Sequence, residues 1–271
     1  MDKTHTVTGI YIFGDSLLDT GMVFQATGRM YPPNATYFQG RYSNGRIWIE
    51  YLSDRLHLSS KQTNNFAYGG ATTGSTSNSY VPSLLNQVQS FTQTYQKTNS
   101  DGLYILWAGA NDYLQGLSSA TVPVKNVISA INLLADTGAR NILVANLPDL
   151  GQLPATKNTT NSVSLSALTQ AHNQSLRRSL KVLIQQNSQL QIATLDANSL
   201  YRNAMVNPAA FGFTNVISPC ISGSNICKNP DQFLFWDGIH PTTAAHRIIG
   251  ENAFTTIQEA GIIRSDSILV P

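Results

Sequence analysis

Five short runs of apolar, β-branched and aromatic residues, at 6–13, 65–68, 103–108, 141–147 and 190–195, alternate with stretches whose apolar residues recur at helical spacing. Few folds accept that alternation, because strands joined by helices pair in parallel and need both sheet faces covered. Val124, Val127, Ile128, Ile131 and Leu134 share one helix face that ends at Gly138, a C-cap residue. Leu165, Leu168, Ala171, Leu176, Leu180, Leu183 and Ile184 form a second amphipathic face. A third helix is expected to open at Pro241, a residue favoured at the first helical position, and to run through Ile248, Ile249 and Phe254. Gly-, Ser-, Thr- and Asn-rich stretches at 69–79 and 156–164 read as loops, and 207–232 as an irregular insertion. No linker divides the chain, and 271 residues suffice for one large core, so a single α/β domain over 1–271 is expected.

The chemistry collects at the ends of the strand-like runs. Ile10-Tyr11-Ile12-Phe13 stops at Gly14, and Asp15-Ser16-Leu17-Leu18 follows. This predicts a strand, a tight turn, and a serine at the start of a helix, at the sheet edge where open α/β folds place their sites. A helix N-terminus offers free N–H groups and a positive partial charge to a developing anion. Alone, Ser16 also fits an ordinary N-cap. A nucleophilic serine needs a base and a group that orients the base. Of His5, His57, His172, His240 and His246, only His240 lies in a turn entering a helix with a carboxylate nearby, Asp237 in Trp236-Asp237-Gly238-Ile239-His240-Pro241. Taken singly, Asp-Gly is more often a plain turn. Acyl transfer also needs preplaced donors for an oxyanion. Gly70, in Tyr68-Gly69-Gly70-Ala71-Thr72, and Asn111, in Gly109-Ala110-Asn111-Asp112, are the candidates, although glycines after strands usually only turn the chain.

Charge excludes some partners. Seventeen Lys and Arg against fifteen Asp and Glu leave +2, which gives no basic face for nucleic acid. Charged residues are 12% of the chain, about half the usual ~25%, and the uncharged polar surface this implies is compatible with export. No apolar run approaches the ~20 residues of a membrane span. Met1-Asp2-Lys3-Thr4-His5 lacks the apolar core of a signal peptide, so an exported form is expected to have lost its leader. Cys220 and Cys227 enclose six residues and fit either a disulfide in an oxidising compartment or two free thiols. No metal or cofactor is expected: Gly-x-Gly-x-x-Gly, Walker-type loops and His-Glu-x-x-His are all missing, as is the Gly-x-Ser-x-Gly of the other large lipase fold.

Gly14-Asp15-Ser16-Leu17, Gly70 within Tyr-Gly-Gly-Ala-Thr, Gly109-Ala110-Asn111-Asp112 and Asp237-Gly238-Ile239-His240-Pro241 stand in the order of the four blocks of the SGNH or GDSL serine hydrolases. The chain closely resembles that family from residue 13 to 241. The resemblance implies a flavodoxin-like α/β/α sandwich with a five-stranded parallel sheet. It implies Ser16 as nucleophile, His240 as base and Asp237 as its partner, with Ser16 N–H, Gly70 N–H and the Asn111 amide as oxyanion hole. Gly40-Arg41-Tyr42-Ser43-Asn44-Gly45-Arg46-Ile47-Trp48 and the block around His240 look like the lipolytic branch, with its secreted bacterial lysophospholipases A, phospholipases and glycerophospholipid:cholesterol acyltransferases. That likeness implies an extracellular or periplasmic enzyme acting on lysophospholipid, at membrane surfaces, with acyl transfer to a lipid alcohol such as cholesterol open to it. It also implies a Cys220–Cys227 disulfide. A short-chain or carbohydrate acetyl esterase needs the same machinery, and a catalytically silent binding domain is the alternative of another class. Apolar residues in 207–232 (Phe211, Phe213, Val216, Ile217, Ile221, Ile226) suit either a lid over the acyl pocket or a cover for the sheet edge.

Overall fold

The computed structural model describes residues 7–74, 80–223 and 225–263; His5 lies outside them. Five parallel strands run through the centre: β1 (Ile10–Gly14), β2 (Thr63–Asn65), β3 (Leu103–Trp107), β4 (Asn141–Ala145) and β5 (Gln191–Leu195), in the order β2-β1-β3-β4-β5. Ile10 pairs with Leu103, and Leu103 with Asn141. Successive side chains of a strand point to opposite faces, and both faces are buried. Ile10, Ile12, Ile105, Trp107 and Leu143 enter one core, while Phe13, Tyr104, Leu106, Ile142 and Val144 enter the other.

Helices close each core. α2 (Trp48–Arg55), α7 (Ala197–Val206) and α8 (Thr243–Glu259) send Trp48, Ile49, Leu52, Tyr201, Ile249 and Ile257 into the first. α3 (Leu84–Thr94), α5 (Thr121–Asp136) and α6 (Ser162–Gln186) send Leu84, Val88, Val127, Ile131, Leu176 and Leu180 into the second. The five-stranded α/β/α sandwich expected from the sequence is therefore present, completed by the short helices α1 (Met22–Ala26) and α4 (Ala110–Leu114). Among the described residues, no helix is long and apolar enough to cross a membrane.

Several boundaries differ from expectation, among them β1, which begins at Ile10 and ends at Gly14 instead of spanning 6–13. β2 occupies Thr63–Asn65 rather than 65–68, because Asn65 turns the chain: its Oδ1 accepts from Ala67 N at 2.9 Å and its Nδ2 donates to Leu18 O at 2.7 Å. α8 begins after Pro241, since Thr242 is the cap, its Oγ1 accepting from Ala245 N while donating to Phe233 O at 2.7 Å. The 207–232 segment is more ordered than an irregular insertion. β6 (Asn215–Pro219) runs parallel to β9 (Phe233–Phe235), and between them β7 (Ile221–Ser222) pairs with β8 (Asn225–Ile226) in a hairpin closed by a Cys220–Cys227 disulfide. Phe213 and Val216 are core residues, whereas Ile217 and Ile226 face solvent.

Candidate active site

In the strand order 2-1-3-4-5, connections leave β1 and β3 in opposite directions, which opens a crevice at their C-terminal ends. Ser16 lies there. Gly14 is required at the end of β1: its φ is +155°, and a Cβ would stand 2.1 Å from Trp107 O of β3. The buried side chain of Gln87 finishes the strand, accepting from Gly14 N at 2.8 Å and donating to Gly14 O at 2.9 Å. Asp15 then shapes the turn, its carboxylate accepting from Leu17 N and its carbonyl from Leu18 N and Asp19 N. Ser16 therefore occupies a tight turn rather than the start of a helix as the sequence suggested. The reason is Asp19, whose carboxylate takes the amides of Gly21, Met22 and Val23 and delays α1 to Met22. The same carboxylate takes Gly69 N at 2.9 Å and so ties this turn to the Gly69–Gly70 loop.

The imidazole that faces Ser16 comes from the other end of the chain. Trp236 N donates to His240 O at 2.8 Å, closing a turn inside which Asp237 Oδ1 accepts from Ile239 N at 2.9 Å and His240 N at 2.7 Å. Asp237 Oδ2 faces His240 Nδ1 at 2.8 Å, and His240 Nε2 lies 2.8 Å from Ser16 Oγ. Gly238 permits the close approach of the 148–156 loop: its carbonyl accepts from Ala155 N, and a Cβ there would stand 2.9 Å from Ala155 Cβ. Burial pushes the Asp237 carboxyl up, but the charge and hydrogen bond of His240 and the two backbone amides outweigh it and hold the group at about 2. An ionised Asp237 can only accept, so the proton between them sits on His240 Nδ1 and the Nε2 lone pair faces the serine hydroxyl.

Ser16, His240 and Asn111 share one pocket with Asp15 and Tyr201, walled on its apolar sides by Leu17, Trp107, Leu114, Leu150, Leu153 and Ile239. Asn111 Nδ2 donates one hydrogen to Ala71 O at 2.9 Å, which orients the amide and leaves its second hydrogen available. Gly70 is not on the pocket wall. It has φ +82° with open space where a Cβ would stand, and is tethered by Gln115 Nε2 on its carbonyl. The amides of Ser16 and Gly70 have no acceptor among the described residues. Asp112 joins the second and third blocks, accepting from Thr73 N at 2.9 Å and Thr73 Oγ1 at 2.7 Å. No residue of 207–232 lines this pocket.

Other titratable groups nearby lack the wiring of His240. Asp15 is raised to about 7, chiefly by burial, against the Leu17 amide and the His240 charge. Burial lowers His172 to about 4, with Nδ1 on Tyr113 Oη at 2.8 Å. Burial, then repulsion from His240, lowers His246 to about 3. His57 lies two residues beyond α2 with φ +55°. Sequence reasoning missed two tyrosines: Tyr37, whose hydroxyl donates to Asp237 Oδ2 at 2.8 Å, and Tyr42, whose ring centroid is 5.1 Å from that of His240. Tyr42 stands in a block that resembles the lipolytic branch; Tyr37 has no local signal, because its partner is 200 residues away.

A family model described as GDSL-like lipase/acylhydrolase matches residues 10–253. A phosphatidylcholine-sterol acyltransferase of Aeromonas hydrophila is 28% identical over 313 residues, which cover 95% of this chain and 92% of that protein. The secreted effector protein SseJ of Salmonella typhimurium is 31% identical over 258 residues, covering 89% of this chain and 61% of that one. Among solved structures, the native aryl esterase of M. smegmatis superposes with a TM-score of 0.55 at 15% identity, over 94% of this chain and 100% of that one, a likeness of fold.

Proposed function

The chain belongs to the GDSL-like lipase/acylhydrolase family, and from that premise we propose that it hydrolyses carboxylic esters of lipids, with lysophospholipid as its substrate. One observation carries the reading: a serine hydroxyl, an imidazole and an ionised carboxylate in a hydrogen-bonded line, 2.8 Å at each step, opening on an apolar-walled pocket. Ser16 Oγ attacks the ester carbonyl as its proton passes to His240 Nε2, and Asp237 stabilises the imidazolium that forms. The carbonyl electron pair moves onto oxygen, where Ser16 N–H, Gly70 N–H and the second Asn111 amide hydrogen are the proposed donors. His240 then protonates the departing alcohol, and water repeats the sequence on the acyl-enzyme. A lipid alcohol such as cholesterol in place of water gives acyl transfer, a reading that the Aeromonas acyltransferase relative supports. The disulfide fits an oxidising, secreted or periplasmic setting.

A second reading has its own observation. The space beside Ser16 measures about 30 Å³, room for roughly two water molecules. So small a space favours a short acyl group over a fatty acyl chain. That supports a short-chain or carbohydrate acetyl esterase. Turnover of lysophosphatidylcholine, diacylphosphatidylcholine, nitrophenyl acetate and acetylated xylose, with and without cholesterol, separates the two. Lysophospholipid should give the highest kcat/KM; preference for the acetyl esters would replace the lipid reading with the second. Ser16→Ala should abolish every activity in the panel, and retained turnover would sink both.

A further inference from the structure

Asp237 accepts four hydrogen bonds, and only three come from its own turn. Oδ1 takes Ile239 N and His240 N, and Oδ2 takes His240 Nδ1 together with Tyr37 Oη at 2.8 Å. Two donors of different kinds thus converge on the one carboxylate oxygen that faces the imidazole. We propose that Tyr37 is a positioning residue for the Asp237–His240 pair, its hydroxyl setting both the direction and the charge density of Oδ2. This rests on the Ser16–His240–Asp237 reading above and extends it to a segment outside the four sequence blocks.

The segment is fastened to the Asp–His turn on several sides, which makes the contact a built one. Ser43 Oγ donates to Pro241 O at 2.9 Å, Asn44 Oδ1 accepts from Thr243 N at 2.8 Å, and Thr243 Oγ1 donates to Arg46 O at 2.8 Å. Aromatic edges fill the space between. Tyr37 meets Trp236 at 86° with centroids 6.5 Å apart and Tyr42 at 65° with centroids 6.4 Å apart, and Tyr42 continues to His240. The Tyr42 hydroxyl also fills the place a Cβ of Gly69 would take, 2.2 Å away, so Gly69 is needed for the tyrosine to lie there. Opposite an ionised carboxylate the phenol must be the donor. Burial and the Asp237 charge both resist its ionisation, so it stays a donor wherever the enzyme works.

The chemical consequence has a definite sign. A hydrogen bond to Oδ2 withdraws electron density that would otherwise serve His240 Nδ1–H. Without it, Asp237 attracts the imidazolium more strongly. It also loses, among the described residues, the one side-chain bond to the carboxylate from outside its own turn.

Tyr37→Phe in the whole chain tests this, since it deletes one oxygen and keeps the ring contacts. With a soluble nitrophenyl ester, kcat should fall about tenfold while KM stays within about twofold, the order expected for a bond to a charged group. The acid limb of kcat/KM should move to higher pH by about half a unit, and the downfield proton resonance of His240 Nδ1–H should shift. Tyr37→Leu should lower kcat no further than about twofold beyond Tyr37→Phe if the hydroxyl is the active part. A Tyr37→Phe pH profile and proton resonance that superimpose on the wild type would overturn the proposal, as would a loss expressed only in KM. Ser16→Ala, measured beside it, keeps the two readings apart: turnover surviving there removes the triad itself, whatever Tyr37→Phe does.

Discussion

His240 and His246 stand six residues apart on either side of the Thr242 cap, both almost fully buried, and they differ in every chemical respect. His240 has a partner at each ring nitrogen, Asp237 on Nδ1 and Ser16 on Nε2. His246 accepts from Trp48 N at 3.3 Å through Nδ1, and its buried Nε2 has no partner among the described residues. Burial silences an imidazole: it is the cause at His172, held at about 4, and the larger of two causes at His246, held at about 3, where repulsion from His240 adds to it. A carboxylate in line turns the same burial to use, because an ion pair out of water is less screened. The carboxylates repeat the contrast. Asp237, with four donors, is held at about 2, and Asp15, with one backbone donor and the more distant His240 charge, rises to about 7.

The sharpest way to break this comparison is to make the first histidine resemble the second. Asp237→Asn keeps the shape of the turn but removes the charge, and kcat should fall about 10⁴-fold. Steady-state rates within tenfold of wild type would mean that the carboxylate is not what distinguishes the two sites.

The next effect is on stability. An unfolded histidine binds a proton near 6.5, whereas His246 and His172 resist it until about 3 and about 4. The unfolded state therefore holds more protons over that interval, and stability should drop as pH falls from about 6.5 toward 4, by a few kcal/mol for the pair. His246→Gln with His172→Gln should flatten that slope in urea titrations between pH 7 and 4. An unchanged slope would remove the idea that these two buried, neutral histidines set it.

Asp15 opposes the same slope. Its folded carboxyl keeps the proton to about 7, while the unfolded one releases it near 3.8, so its contribution is full below about 3.8 and lost as pH rises through 7. Asp15→Asn, whose Oδ1 can still accept from Leu17 N, should stabilise the protein at pH 8 relative to pH 4 by an amount on the order of 1–2 kcal/mol. The two buried types oppose one another in the wild type, and variants confined to one type unmask the other. The smallest effect belongs to the residue between the histidines. Thr242→Ala removes the α8 cap and should cost about 1 kcal/mol in thermal unfolding, with kcat within a few-fold. A larger loss of kcat would show that the cap also holds His240 in place.

Much of this was legible before folding. Each block carries its own local cause: an apolar run cut by a glycine, an Asp three residues before a His, a Gly-Gly after a strand. The helix expected at Ser16 failed because Asp19, an ordinary polar residue in the sequence, captures the amide of the next helix's N-cap, its first two amides and that of Gly69. β2 ended early for a similar reason, since Asn65 competes with the ladder for its own backbone. Such side chains declare their role only when the donors around them are known.

The sequence by itself determined the alternation that makes a parallel sheet and the candidate groups gathered at its strand ends. These depend on neighbours a few residues away, and periodicity and turn chemistry report that range. Only the tertiary structure decided that Ser16 and His240, 224 residues apart, meet at 2.8 Å, that Gln87 finishes β1, and that Tyr37 shares the Asp237 oxygen with the imidazole. Those contacts come from strand order and from loops crossing the sheet edge, and nothing in the spacing of residues along a chain encodes which distant partner a half-buried hydroxyl will find.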